Sequence, residues 1–424
     1  MKRTLVNTHS WSYLSHLSVN YFGWVFCWTI ATTYMVPNVL LRLVDNSVKN
    51  TRLGLMSGAA NVMVIILIPL IGSLSDRTRS GLGRRRPYFL SAAFAVSLFL
   101  VLVVGCSRYI YLLMLLVLMH VGLALWFTNR ALVRDIVPLE RRGRISGLTT
   151  ITNMLGMMAG HVAAATLIEA GRLLLLALIA SVVNIASNLW VALKIKEPPP
   201  SDHAMRQRVS WREIYLPKLE RTSSLGWLAG SNLLTQMGMV AMVCFLLYFI
   251  KDQIDPEHFN STFRNLVLIA MTAAIPSSFG AGMIADRFGR KRMFLTACLL
   301  QLACIVNFLI SPRVHSTLYL SGLLYGLGNG AYLSMYWTMV SDMVPEADTS
   351  KYIGLMQYTF LIPWAIIPPT LGPVVDTFGT SSGVGYNLLF IAIAFLLISG
   401  MLLIPKIPET LKLAAPVSTA GAKT

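Results

Sequence analysis

Apolar runs of about 20 residues recur along the whole 424-residue chain, and that length is what an α-helix needs to cross a bilayer. Twelve are countable, over 18–41, 54–74, 87–107, 109–131, 145–168, 171–193, 224–250, 262–285, 292–311, 316–340, 352–376 and 384–404. With 55% hydrophobic residues, 12% charged residues and a mean hydropathy of +0.64, the chain carries more apolar surface than one water-soluble core could bury. Lipid offers no partner to a free amide or carbonyl, so each run is expected to be helical. Pro363, Pro368, Pro369 and Pro373 in the eleventh run then mark bends and close packing inside a helix.

The second half of the chain repeats the first. Gly72-Ser-Leu-Ser-Asp76-Arg77, followed by Gly83-Arg84-Arg85-Arg86, returns as Gly282-Met-Ile-Ala-Asp286-Arg287-Phe-Gly289-Arg290-Lys291. Arg134-Asp135-Ile-Val137-Pro138 returns as Ser341-Asp342-Met-Val344-Pro345, Gly147-Leu148 as Gly354-Leu355, and Lys194-Ile195-x-Glu197 as Lys406-Ile407-x-Glu409. Anchors in one order at a nearly constant offset indicate duplication, an architecture known among membrane transporters. The expected fold class is all-α: a polytopic membrane protein of twelve transmembrane helices in two pseudo-symmetric six-helix halves. The expected segments are residues 1–193 for the first half, 194–223 for a central loop, 224–405 for the second half and 406–424 for a tail.

Charge gives the orientation. Placing both termini in the cytoplasm puts most of the 35 Lys and Arg residues on that side, which is the positive-inside bias. This distribution accounts for the net charge of +17 without nucleic-acid binding. Polar residues 1–18 lead into a first run too long for a signal-peptide core, so that run is expected to be the insertion signal. The basic central stretch through Arg206, Arg208, Trp211, Arg212 and Lys218 is expected to lie on the inner leaflet as a tether. Cys27, Cys106, Cys244, Cys298 and Cys304 fall inside predicted helices and offer neither a disulfide framework nor ligand spacing for a metal. No cofactor, metal or nucleophile–base motif is expected, and the protein is not read as an enzyme.

The two charged turns resemble those between helices 2–3 and 8–9 of the major facilitator superfamily, and that resemblance covers nearly the whole chain. It implies a secondary transporter working by alternating access. The longer first copy, Asp76-Arg77-Thr-Arg-Ser80-Gly-Leu-Gly83-Arg84-Arg85-Arg86-Pro87, is similar to the sucrose transporters and the glycoside–pentoside–hexuronide cation symporters. Phe26-x-Trp28 with Pro37 and Val39 also resembles the first helix of the sucrose group. Where melibiose-type relatives carry acids in helix 2, this chain offers Asn61.

Acids near helix ends with Arg in reach can latch rigid bodies in one arrangement and release them in another. The gating candidates are Asp76, Arg77, Arg84, Arg85 and Asp135 in the first half and Asp286, Arg287, Arg290 and Asp342 in the second. Topological anchoring is the plainer alternative for the basic residues. The resemblance implies that helices 1, 4, 7 and 10 line the substrate path. On them, Trp24, Trp28, Asn232, Gln236, Tyr325, Asn329, Tyr332 and Tyr336 supply the aromatic faces and neutral hydrogen-bonding groups that recognise a sugar. Packing between helices is the rival role for each. No acid falls at a span centre, which leaves His120 and His161 as the candidate proton-coupling groups. Arg130 is read as structural or, alternatively, as an anchor for an anionic or hydroxylated substrate.

The expected function is proton-coupled symport of a sugar or glycoside across the plasma (inner) membrane by a multi-pass monomer. Export of an amphipathic compound or drug, with Met237, Met239, Met242 and Phe245 lining an adaptable cavity, is the alternative. A non-transporting sensor or assembly factor on the same fold is the third.

Overall fold

A computed structural model describes residues 11–195, 197, 223–310, 315–344 and 349–410. The basic tether through Arg206 to Lys218 and the tail beyond 410 lie outside the described residues. The chain divides into two compact units, Met1–Pro217 and Lys218–Thr424.

The first unit holds α1 (Tyr13–Leu43), α2 (Lys49–Arg77), α3 (Arg86–Val104), α4 (Tyr109–Trp126 continued by Thr128–Ile136), α5 (Leu139–Glu169) and α6 (Leu173–Lys194). The second holds α7 (Ser223–Gln253), α8 (Phe259–Phe288), α9 (Arg290–Ile310), α10 (His315–Met343), α11 (Thr349–Thr377) and α12 (Val384–Met401). In the first unit α1 packs on α5 and α6, α2 on α4, and α3 on α4 and α6. In the second, α7 packs on α11 and α12, α8 on α10, and α9 on α10 and α12. The same five pairings recur at corresponding places, so the duplication seen in short motifs extends to the packing.

Eleven of the described helices are long and apolar enough to cross a membrane. The tenth expected run lies in α10, which has the length, at 29 residues, but dilutes its apolar character with Tyr325, Asn329, Tyr332, Ser334, Tyr336 and several glycines. Those glycines set its packing. A Cβ at Gly326 would collide with the Ala270 carbonyl, and one at Gly330 with that of Ala274, both on α8. Such small-residue spacing lets two backbones approach where lipid supplies no hydrophobic drive. Gly326→Val is therefore expected to push α10 off α8 at a cost of about 3 kcal/mol. The check is a lowered melting temperature and a smaller monodisperse fraction on gel filtration, against a mild effect for Gly282→Ala, whose Cβ would meet nothing within 4 Å.

Polar groups at depth are paired across helices. Between α3 and α6, Asn184 Nδ2 donates to the Ala93 carbonyl and to Ser97 Oγ, each at 3.1 Å, and Ser181 Oγ donates to the Ser97 carbonyl at 3.1 Å. Each bond removes the cost of an unsatisfied group in hydrocarbon and fixes the register of the pair. The five cysteines are free thiols.

Candidate functional site

The charged turns are built the same way twice. After α2 and after α8 the chain must reverse within a few residues, and it does so through Gly83 (φ +108°) and Gly289 (φ +99°), a backbone region open to glycine. At each, a Cβ would stand 2.7 Å from a carboxylate oxygen, of Glu197 and of Glu409 respectively. Those carboxylates cap the next helix. Glu197 accepts from the backbone N–H groups of Arg84, Arg85 and Arg86 at 2.6, 2.9 and 2.8 Å. Glu409 accepts from those of Arg290 and Lys291 at 2.9 and 3.3 Å. The first N–H groups of a helix have no intrahelical partner and carry the positive end of its dipole, so an anion is the fitting cap. Neither Glu was assigned this role from sequence; the signal was the repeated Lys-Ile-x-Glu.

The side chains of the turns then reach the ends of α4 and α10. Arg84 pairs with Asp135 at 2.6 Å, and Arg85 Nε donates to Asp135 at 3.3 Å. The two terminal nitrogens of Arg85 donate to Ser75 Oγ and to Asp76. In the second half Arg290 pairs with Asp342. Arg86 and Lys291 donate to the Ile195 and Pro405 carbonyls, tying the turns to the chain after α6 and α12. Of the expected gating residues, the structure brings together Asp76, Arg84, Arg85 and Asp135, and separately Arg290 and Asp342. Asp286 and Arg287 are exposed and form no ion pair among the described residues, while Arg77 is exposed with contacts of its own.

Three of the expected substrate contacts are already committed to one another. Tyr332 OH donates to Asn232 Oδ1 at 2.6 Å, Asn232 Nδ2 donates to Thr359 Oγ1, and Tyr336 OH lies 3.3 Å from that hydroxyl. All three are fully buried, in a network joining α7, α10 and α11. One turn further along these helices the picture changes. Gln236 follows Asn232 on α7 and Asn329 precedes Tyr332 on α10; because these helices run in opposite directions, both amides lie on the same side of the network. Neither amide, nor the partly buried Tyr325 hydroxyl, makes a hydrogen bond among the described residues. Unpaired amides at membrane depth are costly unless water or a solute meets them.

The first half presents an aromatic slab. Trp24 stacks on Trp126 with ring centroids 4.7 Å apart and on Trp28 at 5.8 Å, and Tyr21 meets Trp126 edge-on at 5.2 Å. Asn20 and Asn129 pair beneath it at 3.0 Å. Arg130 is exposed, with its guanidinium over the Phe127 ring at 4.7 Å. The two histidines differ. His120 Nδ1 is 2.9 Å from the carbonyl of its own-helix Leu116, and its ring meets Trp28 edge-on. His161 Nδ1 instead reaches another helix, 2.9 Å from Tyr34 OH on α1. Tyr34 belongs to Thr29–Met35, a π-helical segment of α1. Such widened turns are rare and recur where a helix must adjust. Among the described residues there is no cluster of His, Cys, Asp and Glu that could hold a metal ion.

Apolar spanning helices and doubly built ion-paired turns define a polytopic membrane protein of two repeated halves. The chain belongs to the Major Facilitator Superfamily, matched over residues 16–368 and again over 228–422. It is 28% identical over 181 residues to monocarboxylate transporter 12-B of Danio rerio, covering 42% of this chain and 36% of that one. It is 25% identical over 187 residues to the niacin transporter NiaP of Acinetobacter baylyi, covering 44% and 39%. Each match thus spans well under half of the relative. Among solved structures, a bacterial homologue of the lysosomal transporter Spinster aligns with a TM-score of 0.71 at 14% identity, over 93% of this chain and 95% of that one. A D-xylose–proton symporter aligns with a TM-score of 0.70 at 16% identity, over 95% and 99%. These two likenesses concern the fold.

Proposed function

We propose that the protein is a proton-coupled symporter of a small polar solute of the sugar or glycoside class, working by alternating access across the plasma membrane with both termini cytoplasmic. The observation that carries this is the pair of unengaged amides, Gln236 and Asn329, beside the Tyr325 hydroxyl. They offer neutral donors and acceptors for hydroxyl groups. The shared fold with a D-xylose–proton symporter supports the reading. His161, bonded across helices to Tyr34, is the coupling group favoured over His120. Protonation of His161 acts on a bond that ties two helices, whereas the His120 bond stays within its own helix.

A second reading is favoured by Arg130. It lies within the fourth span with no ion-pair partner among the described residues, and an intramembrane cation of that kind suits an anionic solute. The monocarboxylate and niacin transporters among the relatives fit a carboxylate substrate.

The test is uptake of labelled sugars and small carboxylates into proteoliposomes, with and without an inward proton gradient. Asn329→Ala is expected to lower sugar uptake about tenfold, the worth of one good hydrogen bond to a bound solute. His161→Gln is expected to keep exchange of solute across the membrane while abolishing gradient-driven accumulation. If carboxylates alone move, and Arg130→Gln stops them, the sugar assignment fails and the second reading stands.

A further inference from the structure

A cavity of about 590 Å³ opens where the charged-turn ends of α8 and α9 meet the chain leaving α12. Arg287, Lys291 and Arg292 supply its charge, and Phe288, Leu295 and Met401 its apolar walls. Glu409 also borders it, but its carboxylate is engaged with the backbone N–H groups of Arg290 and Lys291. Lys291 spends one of its three donors on the Pro405 carbonyl. Arg287 and Arg292 are exposed and pair with no acid among the described residues; Asp286, beside Arg287 in sequence, is likewise exposed and unpaired. The cavity therefore holds more positive charge than the protein neutralises.

Two apolar tracks lead to it from the spanning part of the helices. On α8, Phe279 and Met283 are each 74% exposed and stand at steps of four before Arg287. On α9, Leu299 and Leu295 are exposed on the same face as Arg292, at steps of four and three. Each exposed apolar stripe ends at a cation on the rim of one cavity. We propose that this cavity binds the phosphate headgroup of an anionic phospholipid whose acyl chains lie along these stripes. A free phosphate would use the cations and leave the tracks without purpose, so the lipid is the occupant to which the geometry points.

The experiment is native mass spectrometry of the delipidated protein offered phosphatidylglycerol and phosphatidylcholine in equal amounts. Phosphatidylglycerol is expected to be retained about tenfold or more over phosphatidylcholine, a preference lost in Arg287→Gln/Arg292→Gln. It should be kept in Arg287→Lys/Arg292→Lys, which preserves the charge, and in Arg264→Gln, which removes a cation elsewhere. Equal retention of the two lipids overturns the proposal. So does an unchanged preference in a double Gln variant that elutes as the parent does, or release of the lipid by millimolar inorganic phosphate. None of these outcomes depends on transport, so failure here leaves the proposed symport standing.

Discussion

Glu197→Ala is expected to be the most damaging single substitution at the charged turns, lowering stability by about 3 kcal/mol or more. Three backbone N–H groups lose their only acceptor at once, and each unsatisfied buried donor costs about 1–3 kcal/mol. Water reaches the site poorly, since the Glu197 side chain is 3% exposed. Glu197→Gln keeps one carbonyl oxygen and is expected to lose roughly half as much. Glu409→Ala removes two longer bonds and is expected to fall between the parent and Glu197→Ala. Thermal unfolding in detergent, followed by helix signal, gives the order directly. A Glu197→Ala variant that melts with the parent would show that the cap holds nothing together.

Arg85→Ala comes second, at about 2–3 kcal/mol, and is expected to reduce initial uptake more than it reduces yield. The guanidinium is 4% exposed and serves three partners on two helices: Ser75, Asp76 and Asp135. Removing one member of a buried pair costs about 3–5 kcal/mol. Here the figure is reduced because Asp76 is 47% exposed and Asp135 keeps Arg84 at 2.6 Å. Arg85→Lys is expected to behave like the Ala variant, because an ammonium cannot fork to three acceptors in fixed directions. The measurement is the rate of solute uptake beside the melting temperature. Uptake equal to the parent at a lowered melting temperature would leave Arg85 a brace with no part in gating.

The fold was legible because lipid removes most alternatives: long apolar runs must be helices, and the duplicated motifs fixed their grouping into sixes. The ion pairs of Asp135 and Asp342 were legible for a related reason, since each is the single acid in the last turns of its helix. Periodicity could not distinguish Asn329 from Asn232. Both stand on helices expected to face the path, yet Asn232 is held by Tyr332 and Thr359 while Asn329 is not, and that difference depends on the rotation of α7, α10 and α11 about their axes. The Tyr34–His161 contact was hidden likewise, because a π-helical segment shifts the facing of everything beyond it by part of a turn. The cap by Glu197 spans 113 positions in sequence, a distance over which local patterns say nothing.

That separation also sets an order of events during synthesis. The start of α3 leaves the ribosome well before the residue that will cap it, and three further helices must follow before Glu197 appears. Until then the Gly83 turn is an open end with its N–H groups facing water or lipid headgroups. The first half can lock only after its sixth helix has been made, and the second, with Glu409 beyond α12, meets the same condition. Each half is thereby made to assemble as a whole rather than helix by helix, with its last residues acting as the fastener for a turn made much earlier.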